Sequence, residues 1–286
     1  MLQQFRHTEE KIFRIIMFLS TSVIILALAL IIFSVLYKGL PSLSWEMISQ
    51  KPKGGFYFGK EGGILNAIVG SLYLAIGSTF LAFIIGLPVA LYMNIHLVKR
   101  KKLANTLRFF LDVMWGVPSI VYGAFGFTLM IFFGIKTSLL AGIITVTLFI
   151  IPIMVRAMDE VLKTIPMGLQ EASLSLGSTK SETAYRVFFR QAYSGMVTAI
   201  LLSFGRAIGD AAAVLFTTGY TDNIPTGLNQ PTATLPLSIF FQLGSPLEEV
   251  RDRAFASAVV LTFIILVISI LARFFSRRYQ KHKINF

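Results

Sequence analysis

The chain has 286 residues, of which 55% are hydrophobic and only 14% are charged. A soluble domain carries roughly 25% charged residues, so this composition excludes an ordinary water-facing globule. The chain contains no cysteine, and its three histidines lie far apart, which argues against disulfides and against thiolate or histidine metal sites.

Six apolar runs are each long enough to cross a ~30 Å hydrocarbon layer as a helix. These runs are residues 15–37, 64–93, 113–133, 138–155, 192–216 and 254–272. The first run is too long for a signal peptide, and no small-residue cleavage site follows it, so we expect it to remain as a helix. The sequence therefore predicts an all-α integral membrane protein with six transmembrane helices in a single domain covering residues 1–286.

Lysines and arginines indicate the orientation of these spans, because they are enriched on the cytoplasmic side. If the amino terminus is cytoplasmic, 18 of the 26 basic residues lie in inner segments and seven lie in outer segments. The same bias holds in every loop. We therefore predict that both termini are cytoplasmic, and we interpret the net charge of +12 as a topology signal, with no nucleic-acid partner.

Two outer segments are long, residues 38–63 and residues 217–253. Both mix prolines and glycines with aromatic and apolar residues. Composition leaves two alternatives open for them: simple connectors, or a docking surface for an external partner.

The inner loop of residues 156–191 predicts a helix, a sharp turn and a second helix. Pro166 suits a first helical turn, Gly177 suits the left-handed residue that ends a helix, and Thr179 with Glu182 forms a capping box. The apolar side of the first helix contains Leu169, Ala172 and Leu176. This side suits either a groove on another protein or the lipid surface.

Within this loop, Glu171-Ala172-Ser173, followed after three residues by Gly177, resembles the EAA loop of ABC importer permeases. The resemblance implies that these residues form a coupling helix seated in a cleft of a cytoplasmic ATPase. Four further stretches are similar to the phosphate-specific permeases of that family, with an order and spacing that fit the A-type subunit over nearly the whole chain. They are residues 62–72, 116–121, 206–210 and 235–240.

The loop also departs from the family pattern at two places. Ser173 replaces the second alanine of the EAA motif, and Arg190 stands where the family often has the proline of a closing Leu-Pro pair. We interpret both changes as altered packing of the loop, while a homologue that has lost coupling is the alternative.

Arg206 and Asp210 are charges inside the fifth run, where an arginine costs roughly 2.5–3.5 kcal/mol on insertion scales. They are predicted to lie one turn apart on the same helix face. One alternative is an intramembrane ion pair. The other is that Arg206 lines a pathway and binds an oxyanion with its planar fork of donors, while Asp210 accepts a hydrogen bond from the P–OH group of hydrogenphosphate. The resemblance implies the second.

Two further residues are weaker candidates for the pathway. Arg156, at the inner end of the fourth run, suits an interfacial anchor by position, but the resemblance implies a transport role. Asn66, at the outer start of the second run, suits either the mouth of a pathway or a hydrogen bond between helices.

The resemblance implies a type I ABC importer permease in a prokaryotic plasma or inner membrane. Its implied partners are a homologous phosphate permease as the other half of a heterodimer, two cytoplasmic ATPase subunits and an external phosphate-binding protein. The chain has no phosphate-binding loop of the GxxxxGK[ST] type, so ATP and Mg²⁺ are expected on the ATPase, with no cofactor, metal or catalytic residue here. The alternatives are the C-type phosphate permease, a permease for another oxyanion, or a secondary carrier or channel. A membrane-embedded enzyme is a further alternative, but it would need a nucleophile, an acid–base pair or a metal site, and the sequence offers none of these.

Overall fold

A computed structural model describes residues 2–53 and 61–279. The helices are α1 (Leu2–Gly39), α2 (Trp45–Ser49), α3 (Leu65–Ile95), α4 (Lys101–Gly116), α5 (Ser119–Phe133), α6 (Leu139–Lys163), α7 (Met167–Ser175), α8 (Lys180–Glu182), α9 (Phe189–Ile208), α10 (Leu235–Leu243) and α11 (Glu248–Tyr279). A π-helical segment, Thr183–Phe188, joins α8 to α9. Strands β1 (Pro52–Lys53) and β2 (Glu61–Gly62) form one short antiparallel pair.

The number of spans agrees with the all-α, six-helix prediction. Five stretches of helix are long and apolar enough to cross a membrane, and α4 with α5 forms a sixth span if the bent pair is counted as one. The outer segment of residues 38–63 lies partly outside the described residues.

The third span differs from the prediction, because residues 113–133 do not form one helix. Helix α4 ends at Gly116, and α5 leaves it at an angle of 93°. Pro118 lacks an amide proton and disfavours helical geometry at the preceding residue, and Val117 is accordingly extended, with φ −70° and ψ 129°. Sequence reasoning also missed most of α4, which carries charged residues that a search for apolar runs passes over.

The fifth span ends earlier than the predicted 192–216. Helix α9 stops at Ile208, and the Asp210 side chain accepts a hydrogen bond of 2.7 Å from the backbone N–H of Ala213. This local bond offers the backbone an alternative to the helix, which ends the span at that point. Asp210 is therefore not one turn beyond Arg206 on a common helix face, and that prediction is wrong.

Two helices are longer than the apolar runs that predicted them. Helix α6 begins after Ser138, whose hydroxyl accepts the N–H of Ala141, and continues through Pro152 to Lys163 rather than ending near residue 155. The predicted second loop helix starts at its capping box and runs without a break into the fifth span, so that Lys180–Ile208 is one stretch.

The core of the bundle is formed by α3, α6 and α9, which pack against one another. Close approach of α3 and α6 depends on small residues, since a side chain at Gly77 would lie 2.7 Å from Ile143. Helix α1 lies outside this core and contacts α11. The apolar window of α1 has no buried residue, as expected for a helix that faces lipid or another chain.

The bundle has two distinct ends. The first turn of α6 contacts the segment between α9 and α10, because the N–H of Ser138 donates to the carbonyl of Thr217 at 3.0 Å. The far end of α6 leads into α7. We refer to these as the α10 end and the α7 end.

Candidate functional site

Arg206 lies in the last turn of α9, and its side chain is exposed rather than buried in the bundle. Its guanidinium carbon sits 5.1 Å from the ring centre of Phe149, which is near the middle of α6. This contact is a cation–π interaction, and it places the charge at mid-height in the bundle. Among the described residues, the guanidinium has no hydrogen bond or salt bridge, so its donors are available to a ligand.

The ion pair between Arg206 and Asp210, one of the two alternatives that the sequence left open, does not occur in the part of the chain that the structure describes. Asp210 is 8% exposed and uses one carboxylate oxygen to hold the turn at Ala213. The structure therefore brings both residues to the end of α9 but leaves them unpaired.

The segment that follows Asp210 turns back into the protein instead of extending into solvent. Ala213, Val214, Thr217 and Thr218 are fully buried. A side chain at Gly123 of α5 would lie 2.7 Å from the carbonyl oxygen of Ala212, so the missing side chain permits this close approach. The chain beside the exposed arginine is thus a packed wall rather than a loose loop.

Asn66 ties α3 to the same segment. Its side-chain amide donates a 2.7 Å hydrogen bond to the carbonyl of Thr221, and its carboxamide oxygen is buried without a protein partner among the described residues. Nearby, the hydroxyl of Ser71 accepts the N–H of Leu235 at 2.7 Å. The structure therefore joins two separate stretches of the family resemblance, the start of α3 and the start of α10.

The outer segment also contains a half-buried phenol. Tyr220 is hydrogen bonded to Ser238 at 2.7 Å and stacks edge-on against Phe241. Burial raises the pKa of Tyr220 to about 12, and this phenol therefore stays neutral where its hydrogen bond is needed. Burial also raises the pKa of the nearby Asp222 carboxyl.

Arg156 is placed at the α7 end, where its side chain contacts three carboxylates and is 16% exposed. It bonds Asp112 at 2.6 Å, Asp159 at 2.7 Å and Glu160 at 3.1 Å. Two of these carboxylates lie on α6 itself, and Asp112 lies on α4. Arg156 therefore connects α4 to α6 rather than standing at a free surface.

Asp159 is the centre of this network, and sequence reasoning missed it. Its fully buried carboxylate accepts hydrogen bonds from Asn94 and Arg108 and forms salt bridges with Arg156 and Lys163, all at 2.7–3.0 Å. We call these five residues the Asp159 network. This network joins α3, α4 and α6. The sequence did contain a signal for it, because Asp159 follows Arg156 by three residues and precedes Lys163 by four, which are spacings that favour ion pairs on one helix.

Helix α7 packs one side on the bundle and leaves the other side exposed. Gln170 and Ser173 are buried, and the side-chain amide of Gln170 lies 3.4 Å from the carbonyl of Ile95. Glu171 and Ala172 are exposed, and Leu176 is 87% exposed. Two residues of the predicted apolar side, Ala172 and Leu176, are thus open to a partner. The third, Leu169, is half-buried against the core of its own chain.

Ser173, which replaces the second alanine of the EAA motif, forms a contact that an alanine could not make. Its hydroxyl lies 2.9 Å from that of Thr183, which in turn lies 3.0 Å from the carbonyl of Thr179. These contacts connect α7 to the helix that begins after the turn. At that turn, Gly177 has φ +88°, a conformation that favours glycine.

The fold is shared with membrane chains of ABC transporters of known structure. A chain of the MetNI methionine ABC transporter in an inward-facing conformation is 21% identical, with a TM-score of 0.64, and the match covers 76% of this chain and 95% of that one. A chain of a bacterial ABC transporter involved in import of alginate is 17% identical, with a TM-score of 0.57, covering 90% and 95% respectively. The class of fold is thus that of the type I ABC permeases.

Sequence comparison narrows this class to a family. The family model of the binding-protein-dependent transport system inner membrane component matches residues 84–283. The phosphate transport system permease protein PstA of Pasteurella multocida is 32% identical over 273 residues, covering 94% of this chain and 95% of that protein. PstA of Haemophilus influenzae is 30% identical, with 94% of each chain covered.

This chain belongs to the binding-protein-dependent transport system inner membrane component family. Membership makes it a multi-pass transport subunit of an inner membrane and implies an ATPase and a substrate-binding protein as partners. In the described residues, no group of three or more histidine, aspartate or glutamate side chains is arranged to hold a metal ion.

Proposed function

We propose that this chain is the transmembrane permease subunit of an ATP-driven importer of inorganic phosphate, and that it forms half of the translocation pathway. The observation that carries the proposal is Arg206, an exposed cation at mid-height in the bundle with no acidic partner in the described part of the chain. The chain matches two relatives over nearly their whole length, and both are named phosphate transport system permease proteins. This likeness supports phosphate as the substrate.

Arg206 would bind the ion through its planar donor fork, which matches two oxygens of a tetrahedral oxyanion. Packing over Phe149 orients this fork without neutralising its charge. The exposed side chain would face a homologous permease, so that the pathway forms between the two chains.

Asp210 would contribute selectivity through its carboxylate. One of its oxygens holds the turn at Ala213, and the other is available to accept a hydrogen bond from the P–OH group that hydrogenphosphate retains near neutral pH. Sulfate lacks this proton and would be repelled.

The selectivity hypothesis has a conservative test. Asp210→Asn keeps an oxygen that accepts the N–H of Ala213, so the turn should persist while the negative charge is lost. We expect this variant to transport sulfate and phosphate at comparable rates with otherwise normal flux. Unchanged preference for phosphate would contradict the role of Asp210.

Arg156 and Asn66 are assigned positioning roles in this proposal. Arg156 is compensated by three carboxylates and holds α4 on α6, while Asn66 holds the start of α3 on the outer segment. The two residues would keep the pathway wall in place without contacting the ion.

Helix α7 would dock in a cytoplasmic ATPase through its exposed side, with Glu171 and Ala172 at the contact and Gly177 forming the turn behind them. Closure of two ATPase subunits on ATP and Mg²⁺ would pull α7, and with it the α7 end of the bundle. In this orientation both termini are cytoplasmic, and the α10 end receives phosphate from an external binding protein.

ATP-driven uptake of radiolabelled phosphate tests the proposal in vesicles that contain the permeases, the ATPase and the binding protein. We expect Arg206→Ala to abolish uptake with the complex intact, and Glu171→Arg to abolish uptake and release the ATPase. Glu9→Arg, a charge reversal at an exposed glutamate of α1, is the matched control and should leave uptake unchanged. Uptake without ATP, or uptake that survives both substitutions, would favour a carrier or channel instead.

A further inference from the structure

A cavity of about 380 Å³ opens at the α7 end between α3, α4, α6 and α7. Its volume falls within the roughly 300–1,000 Å³ that is usual for small-molecule sites. Three basic side chains line it, Lys101, Arg108 and Lys163, together with the amides of Asn94 and Asn105. No carboxylate occurs among the lining residues, and this cavity is remote from Arg206 at mid-height in the bundle.

The charge in this cavity is only partly offset. Arg108 and Lys163 are paired with Asp159, which lies behind the lining. Lys101, the first residue of α4, has no hydrogen bond or salt bridge from its ammonium group within the described residues, and its side chain is exposed. One full positive charge therefore remains for a ligand.

Arg108 adds oriented donors to that charge. Its Nε and one terminal nitrogen bond Asp159, at 2.9 and 3.0 Å, and its other terminal nitrogen bonds Asn105 at 3.2 Å. A guanidinium has five N–H groups, so two remain unused. Because Asp159 holds the side chain in place, these donors are already oriented for an anion with several oxygens.

The remaining wall is apolar and contains Met93, Leu97 and Leu162, all fully buried. A cationic mouth over an apolar wall suits an anion that carries an organic part. Basic pockets between transmembrane helices on the cytoplasmic side are known sites for anionic lipid headgroups.

We propose that this cavity binds a phosphate group, with Lys101 and Arg108 as its ligands. Two sources supply this chemistry at a membrane surface: the headgroup of an anionic phospholipid and free inorganic phosphate. Either ligand would bridge α4 to the helices that carry α7, and would therefore stiffen the end of the bundle at which the ATPase is proposed to dock.

The test uses the full chain carrying Arg206→Ala, so that phosphate binding in the proposed pathway does not contribute. One arm adds phosphatidylglycerol or phosphatidylcholine to the purified chain and counts bound lipid by native mass spectrometry. The other arm measures binding of radiolabelled inorganic phosphate by equilibrium dialysis. Each arm compares Lys101→Gln with Lys102→Gln, which removes the same charge from the neighbouring exposed residue outside the lining.

We expect Lys101→Gln to weaken binding about fivefold, as is typical for one basic residue acting on an anionic headgroup, and Lys102→Gln to weaken it less than twofold. A loss confined to the phosphatidylglycerol arm identifies a lipid site, and a loss in the dialysis arm identifies free phosphate. The proposal is overturned if neither ligand binds, or if the two lysine variants, matched in melting temperature, bind equally well.

Discussion

The two ends of the bundle are held together by different kinds of interaction. At the α7 end, a buried carboxylate collects three cations and an amide from α3, α4 and α6. At the α10 end, backbone approaches backbone, as where Gly70 meets Ala233, and neutral groups such as Tyr220 and Ser238 complete the hydrogen bonding.

This difference matches the different tasks that we propose for the two ends. A charge network joins helices through long side chains. Removing one member destabilises the protein strongly, because the remaining members are left as buried charges without a partner. Glycine contacts instead leave no room for an added atom. We infer that the α7 end moves as one connected unit under load, whereas the α10 end forms a wall whose shape is set by packing.

The largest expected effect is at the centre of the charge network. Asp159→Ala leaves Arg108, Arg156 and Lys163 without their shared partner, and breaking a buried pair in this way costs about 3–5 kcal/mol. We expect a comparable fall in the free energy of unfolding, measured in mixed detergent–SDS micelles.

Glu160→Ala is the matched control for this substitution. Glu160 also bonds Arg156 and Lys163, but its side chain is 59% exposed, and exposed pairs contribute about 0–1 kcal/mol. If both alanine variants lose the same small amount, the network does not hold the α7 end together, and the contrast between the two ends fails.

The second effect concerns pH at the α10 end. Below pH 10 the Tyr220 phenol is protonated in the folded and the unfolded chain, so its raised pKa has no consequence for stability. Between pH 10 and about pH 12 only the unfolded chain loses this proton, and stability falls as the pH rises. A pKa difference of about two units between the folded and the unfolded chain corresponds to a fall of roughly 3 kcal/mol in the free energy of unfolding over this pH range.

Tyr220→Phe removes this dependence. We expect the unfolding free energy of wild type to fall more steeply above pH 10 than that of the variant, while Tyr37→Phe, which alters an exposed ring, parallels wild type. Curves that run parallel for wild type and Tyr220→Phe would show that the phenol is not protected by burial.

The third effect tests the close packing at the α10 end. A methyl group at Gly70 would collide with the carbonyl oxygen of Ala233 and lie 2.5 Å from the Thr232 methyl carbon. Overpacking of this kind costs about 1–3 kcal/mol. Gly116→Ala, which meets no atom within 4 Å, should leave the melting temperature unchanged. Equal melting temperatures for the two variants would contradict close packing at Gly70.

The two ends also differ in how far the sequence predicts them. Elements of the α7 end have local signals: Gly177 gives the turn, and Thr179 with Glu182 gives the capping box that the structure contains. The count of six spans follows from apolar runs in the same local way. The Asp159 network has a partly local signal on α6, but Asn94 and Arg108 come from other helices, and only the fold brings them together.

The α10 end depends almost entirely on contacts between distant residues. Nothing local indicates that Ser71 accepts the N–H of Leu235. Apolar composition continued to residue 216, and the run therefore predicted a longer helix than the one that forms. Asp210 was the missed signal, since a short acidic side chain competes for backbone N–H groups.

The smallest expected effect lies at the α7 end, in the hydroxyl pair of Ser173 and Thr183. A buried neutral hydrogen bond contributes about 0.5–1.5 kcal/mol, so Ser173→Ala should increase the opening of α7, measured by amide hydrogen exchange, roughly fivefold. Ser175→Ala alters an exposed serine of the same helix and should change exchange little.

A double-mutant cycle with Thr183→Val separates this bond from a general effect of losing a hydroxyl. If the bond holds α7 on the fifth span, the double variant opens α7 little more than either single variant does. Additive effects would mean that the two hydroxyls act independently. In that case Ser173, at the second alanine position of the EAA motif, would not be coupled to the following helix. The charge network would then be the one feature that distinguishes the α7 end from the α10 end in the described residues.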